Sequence, residues 1–162
     1  MLFTYLDQLP NIPSNLLVDC YYTDKVGFKD GVYSRYNISE QLIDWLVKHV
    51  SPIKDRMGCQ VMEANVAPHC DFRRWGLNYI ISRGGNVVTR LHRIKNRDIY
   101  IGPRYSHPTI DDLETIMKLE IEPFRWHILN THVLHSVANV TSVRKAITIG
   151  LMDEDPFINV NI

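Results

Sequence analysis

A mainly β fold with flanking helices, a small sandwich or barrel of the jelly-roll kind, is what this sequence predicts. Three observations carry that expectation. After Met57 the chain breaks into short apolar or alternating runs: CQVMEANVA, WGLNYIIS, NVVTRLHRI, RDIYIG, RWHILN and RKAITIGLM. Turn residues separate these runs at close spacing, as in small all-β domains. Helical periodicity is confined to the N-terminal third and to one later segment, so the helices pack on one side of the strands.

The elements follow in order. In YNISEQLIDWLVKHV, Ser39 is placed to cap a helix, with Leu42, Ile43, Trp45, Leu46 and Val50 mostly on one face and Pro52 just beyond its end. Ile38 before the cap and Ile43 inside it form a candidate hydrophobic staple. SRGGN carries Gly84 and Gly85, which can take the positive φ that a hairpin turn needs. PTIDDLETIMKLE reads as a short helix, with Thr109 as cap and Asp112 as its capping-box partner. In WGLNYIIS, alternation puts Gly76, Asn78 and Ile80 on one face, and Leu77, Tyr79 and Ile81 on the other. In RKAITIGLM it sets Arg144, Ala146, Thr148 and Gly150 against Lys145, Ile147, Ile149 and Leu151.

No repeat, low-complexity tract or linker divides the 162 residues, which fits one domain: residues 1–56 as a helix and loop support, residues 57–153 as the β core. Apolar residues at 45% and charged residues at 22% exclude a disordered chain. Lys plus Arg equals Asp plus Glu at 18 each, so net charge argues for neither nucleic acid nor membrane. Locally, eight basic residues between Arg73 and Arg104 face one acid, Asp98, while acids gather in 111–122 and at Asp153, Glu154 and Asp155. Such an excess attracts an acidic partner, or is a solvated rim of hairpin loops. The three cysteines, Cys20, Cys59 and Cys70, lack C-x-x-C spacing, which speaks against a disulfide framework or a cysteine zinc site. With no signal-peptide pattern and no long apolar run, a cytoplasmic protein is expected.

The chemistry begins at VAPHCDFRRWGLNYIIS. On a strand, His69 and Asp71 would point to the same face, as two ligands of one metal must. A third ligand has to come from another strand, because two His and one carboxylate occupy three adjacent corners of an octahedron. The candidates are His127, His132 and His135; His92 and His107, in the basic region, are less suited. Arg144 lies nine residues after His135 on a strand of strong alternation, where its guanidinium fork is suited to a carboxylate.

His69-x-Asp71, His135 and Arg144 at the head of RKAITIGLMD together resemble the core of the Fe(II)/2-oxoglutarate-dependent oxygenases, and within them the prolyl-hydroxylase-like members. The resemblance spans roughly 58–153, with 64 residues between Asp71 and His135. It implies a double-stranded β-helix, a cupin-like jelly roll. It implies that His69, Asp71 and His135 are the Fe(II) ligands and catalytic centre, and that Arg144 neutralises the distal carboxylate of 2-oxoglutarate. With O2, the family converts 2-oxoglutarate to succinate and CO2 while hydroxylating a C–H bond. Asn78 and Thr148, on the faces that would meet the cofactor, are further candidates to touch 2-oxoglutarate; Tyr79 has the wrong parity. Arg73 and Arg74 are placed to meet substrate. A protein or peptide substrate, taken in an open groove, is the leading expectation. The alternatives are an oxygenase acting on nucleic acid or a small metabolite, and a cupin-like protein that binds metal without turnover. Mn, Co, Ni or Zn can occupy similar ligands.

Overall fold

The computed structural model describes residues 1–29, 33–97 and 109–152. The RDIYIG run beyond Arg97, together with Arg104, His107 and the acids Asp153, Glu154 and Asp155, lies outside the described residues. In chain order the elements are β1 (Phe3–Tyr5), α1 (Ser14–Leu17), β2 (Tyr21–Lys29), β3 (Tyr33–Ile38), α2 (Glu40–His49), β4 (Met57–Met62), β5 (Val66–His69), β6 (Trp75–Arg83), β7 (Val88–Ile94), β8 (Leu113–Leu119), β9 (Trp126–Asn130), β10 (His135–Ala138) and β11 (Arg144–Leu151).

Two antiparallel sheets result. One has the order β1-β9-β6-β11-β4-β3-β2, the other β5-β10-β7-β8. Counting β4 to β11 as strands one to eight, the first pairs with the eighth, the second with the seventh, the third with the sixth and the fourth with the fifth. That nested pairing defines a jelly roll, the double-stranded β-helix. The fold is mainly β with helices on one face. The N-terminal third, expected as helix and loop, also supplies β1 at one edge of the large sheet and β2 and β3 at the other.

Strand alternation divides the interior in two. Leu77, Tyr79, Trp126, Ile128, Ile147 and Ile149 point to the outer face of the large sheet, where Leu42 and Leu46 of α2 cover them. Burying each of these two leucines is worth about 1.5–3 kcal/mol. Ser39 caps α2 as its sequence implies, its Oγ accepting from Leu42 N at 3.4 Å. The opposite face of the large sheet looks across to the small sheet, and the chemistry lies between them.

Two local expectations fail. Gly84 and Gly85 do take positive φ, 77° and 108°, but the strands they join lie in different sheets, so SRGGN is a crossover and not a hairpin turn. PTIDDLETIMKLE holds β8 instead of a helix. Pairing with β7 over its whole length overrides a helical periodicity that is weak in so short a run. Thr109 Oγ1 donates to the Asp112 carboxylate at 2.5 Å, so the pair closes a turn ahead of a strand and not a helix.

The crossover has a second use. A Cβ on Gly84 would stand 2.6 Å from the Cβ of Arg144, and the Gly84 carbonyl accepts from Thr141 N and Ser142 N. Gly84→Ala combines a left-handed backbone, about 1–2 kcal/mol, with overpacking of about 1–3 kcal/mol. Urea denaturation should therefore show a loss of roughly 2–5 kcal/mol.

Candidate metal centre

His69 ends β5 and His135 begins β10, and the two are direct cross-strand partners with ring centroids 4.4 Å apart. Pro68 is tolerated beside His69 because β5 is an edge strand, where the missing N–H breaks no ladder. Asp71 falls two residues past the end of β5, not on it. Its N–H donates to Thr131 O at 2.8 Å, which folds the carboxylate back toward His69, with Oδ1 3.4 Å from His69 Nε2. The ligand atoms of His69, Asp71 and His135 all lie within 4.8 Å of one another, a set able to hold one metal ion.

The tautomers suit that role. His69 Nδ1–H donates to Ala67 O at 2.8 Å and His135 Nδ1–H to Val133 O at 2.9 Å. A carbonyl can only accept, so both protons sit on Nδ1 and both Nε2 lone pairs are left for a metal. Burial alone would raise the Asp71 carboxyl. The adjacent His69 ring first, then His135 and Arg73, outweigh that and hold it well below the usual carboxylate range. Burial, then the neighbouring His69, pushes His135 down to about 4. The donor set is thus two imidazole Nε2 atoms and an ionised carboxylate, which fits a divalent transition metal.

His132, the nearest competitor, accepts no such position. Its Nε2 donates to Phe72 O at 3.1 Å on the outer side of the loop. The three histidines between 127 and 135 thereby separate into a ligand, a loop staple and, as follows, a cavity wall.

One cavity of about 620 Å³, its open mouth included, runs between the sheets from the His69–Asp71–His135 group to Arg144. Asn78, Ile80, His127, Leu129 and Ala146 line it. Arg144 is 8% exposed, and burial followed by the charge of Arg83 lowers its pKa to about 10, so it stays charged at neutral pH. None of the ion pairs among the described residues involves it.

The other expected residues sort unequally. Asn78 lines the cavity as its parity requires, but its Nδ2 donates to Gly76 O at 3.1 Å. Tyr79 points to the opposite face and packs on Trp126, centroids 5.0 Å apart. Thr148 is buried beside Asn78 in the strand register and outside the cavity lining. Arg73 lines the cavity, with Nε 3.5 Å from Asp71 Oδ2; its stem crosses β11 at Gly150, where a Cβ would stand 2.8 Å from Arg73 Cδ. Arg74 instead lies over the Trp75 ring, 5.5 Å from its centroid. Of the wider basic stretch, Arg93 bonds Glu114 at 2.7 Å and Arg83 approaches Glu120 at 3.9 Å.

His127, one of the three candidates for the third ligand, lines the cavity without joining the metal group. The signal was present in RWHILN, where it takes the face opposite Trp126 and Ile128. Burial, then Arg144, pushes its pKa down to about 3. Both His127 and His135 therefore titrate below their ordinary value of 6.5, and the unfolded chain binds more protons than the folded one between those limits. Their contribution is complete above pH 6.5 and lost as pH falls through the folded values. Urea unfolding of metal-free protein should lose on the order of 3 kcal/mol per histidine between pH 7 and pH 4; a flat profile would contradict two buried neutral rings.

No family model matches the chain, and no curated protein matches it. Among solved structures it is similar to the coconut allergen cocosin, with 13% identity and a TM-score of 0.41, covering 83% of this chain and 31% of that one. It is also similar to E. coli ycfD, with 12% identity and a TM-score of 0.47, covering 94% of this chain and 50% of that one. The chain thus spans half or less of the length of either structure. At such TM-scores neither likeness carries weight, and the class rests on the chain's own features. They define a jelly roll with a His-Asp-His group able to hold a metal between its sheets. No helix among the described residues is long and apolar enough to cross a membrane.

Proposed function

We propose that the chain is an Fe(II)- and 2-oxoglutarate-dependent dioxygenase that hydroxylates a C–H bond in a protein or peptide residue. One observation carries the reading. A buried, charged Arg144 shares its cavity with the His69–Asp71–His135 group and has no carboxylate partner among the described residues. An uncompensated buried cation is costly, so the cavity is built for an anionic ligand.

His69, Asp71 and His135 would hold the iron, three ligands on one side leaving the remaining positions open. Bound there with 2-oxoglutarate and O2, Fe(II) would supply oxidation of an unactivated C–H bond, giving hydroxylated product, succinate and CO2. The chain's own part is orientation. The carbonyls of Ala67 and Val133 fix both imidazoles, and the guanidinium of Arg144 would take the cofactor's distal carboxylate. Ile80, Leu129 and Ala146 keep that end apolar, which strengthens the pairing. Asn78 keeps its Oδ1 for a donor on cofactor or substrate. Arg73 stands beside the metal ligands as the group best placed to meet substrate, while Arg74 would act from the rim. The test is succinate release by Fe(II)-loaded protein with 2-oxoglutarate, scored across peptide, oligonucleotide and small-metabolite panels. Peptide-dependent succinate with a mass gain of one oxygen on the peptide is expected. Turnover only with oligonucleotides would reassign the substrate, and none with any panel would leave a metal-binding jelly roll.

A further inference from the structure

The cavity holds a second polar group that the assignments above leave without a role. His127 sits in the middle of β9 with its backbone paired on both sides, to Tyr5 of β1 and Asn78 of β6. It is 1% exposed and lines the cavity. Its neighbours in β1 are aromatic, Phe3 at 5.6 Å and Tyr5 at 6.4 Å between ring centroids, and the Tyr5 hydroxyl is engaged by Glu122 N at 3.0 Å. Its Nδ1 is buried and has no hydrogen-bond partner. Buried polar atoms left in that state are rare and mark a place where something else binds.

The contrast with the other two cavity histidines is informative. His69 and His135 each close Nδ1 on the carbonyl two residues earlier. His127 Nδ1 has the Arg125 carbonyl nearby but makes no bond of proper hydrogen-bond geometry to it. Burial, then the charge of Arg144, keeps the ring neutral against a smaller opposing pull from the Arg125 carbonyl. A neutral imidazole still has one N–H to give. Asn78, the polar residue beside it, spends one of its two amide N–H donors on Gly76 O.

We infer that His127 is a second donor to the anion that Arg144 neutralises, its ring N–H bonding a carboxylate oxygen of 2-oxoglutarate. The inference rests on the dioxygenase reading and deepens it, by adding a positioning residue for the cofactor. Arg144 supplies a cation and His127 a neutral donor, a pair suited to one carboxylate.

The test is calorimetric titration of Mn(II)-loaded protein with 2-oxoglutarate, comparing the wild type with His127→Phe, which keeps ring shape without a donor, and His127→Gln, which keeps a donor. The expected result is about tenfold or greater loss of affinity in H127F, recovery to within about threefold in H127Q, and unchanged Mn(II) affinity in both. Equal affinity in the wild type and H127F would overturn the inference and leave the dioxygenase reading standing. Failure of the wild type itself to bind 2-oxoglutarate would overturn both. A second measurement needs no variant. In Zn(II)-loaded protein with labelled histidine, a new hydrogen-bonded ring N–H proton resonance should appear for His127 on adding 2-oxoglutarate. An unchanged His127 spectrum at saturating ligand would overturn the inference on its own.

Discussion

An Arg144→Met variant should bind 2-oxoglutarate about 100-fold more weakly than the wild type and yet, without ligand, unfold at a higher temperature. The two effects have one cause. In the free protein Arg144 is a buried guanidinium whose strongest electrostatic neighbour is another cation, Arg83. Met has a similar length and leaves no charge to desolvate, so the exchange should stabilise the ligand-free fold by on the order of 1–3 kcal/mol. With a dicarboxylate present the balance reverses. Losing one member of a desolvated charge pair costs about 2–5 kcal/mol, and each 1.4 kcal/mol is a factor of ten in affinity. Thermal melts with and without 2-oxoglutarate on Mn(II)-loaded protein read both arms. A lower melting temperature for ligand-free R144M would mean that Arg144 serves the fold and not a ligand.

His135→Ala should abolish stable metal binding, while His132→Ala leaves it unchanged. The two residues lie three apart, but only His135 faces His69 across β5 and β10. His132 is tied to the Phe72 carbonyl. Losing an outer-shell hydrogen bond alone costs about 10–100-fold in metal affinity, and loss of one of three protein ligands should exceed that range. Equilibrium dialysis against Mn(II) or Co(II) measures it. Equal losses in both variants would point to general disruption of the 131–135 turn.

The sequence made the fold class and the metal group legible for separate reasons. Strand alternation in WGLNYIIS and RKAITIGLM is a local property, and the parity it assigned to Asn78, Tyr79, Arg144 and Ala146 is the parity in the structure. The His-Asp-His grouping needed order and spacing over 64 residues, which a resemblance supplied and local patterns do not. What stayed illegible depends on long-range pairing. β8 is a strand because β7 runs beside it, and SRGGN changes sheets because β11 intervenes next to β6. Asp71 reaches the site by a bond from its backbone to Thr131, sixty residues on, not by strand parity. His127 was within reach. Its face in RWHILN was readable, but nothing in one strand reveals that a ring nitrogen there has no partner.

In the proposed dioxygenase the metal group and Arg144 would hold one 2-oxoglutarate between them. Anaerobic titration of Fe(II)-loaded protein with 2-oxoglutarate, followed in the visible spectrum, reads this out. A saturable metal-to-ligand charge-transfer band is predicted, absent from His135→Ala and shifted to much higher 2-oxoglutarate concentration in Arg144→Met. No band in the wild type despite bound Fe(II), or a band with the same saturation midpoint in Arg144→Met, would contradict it.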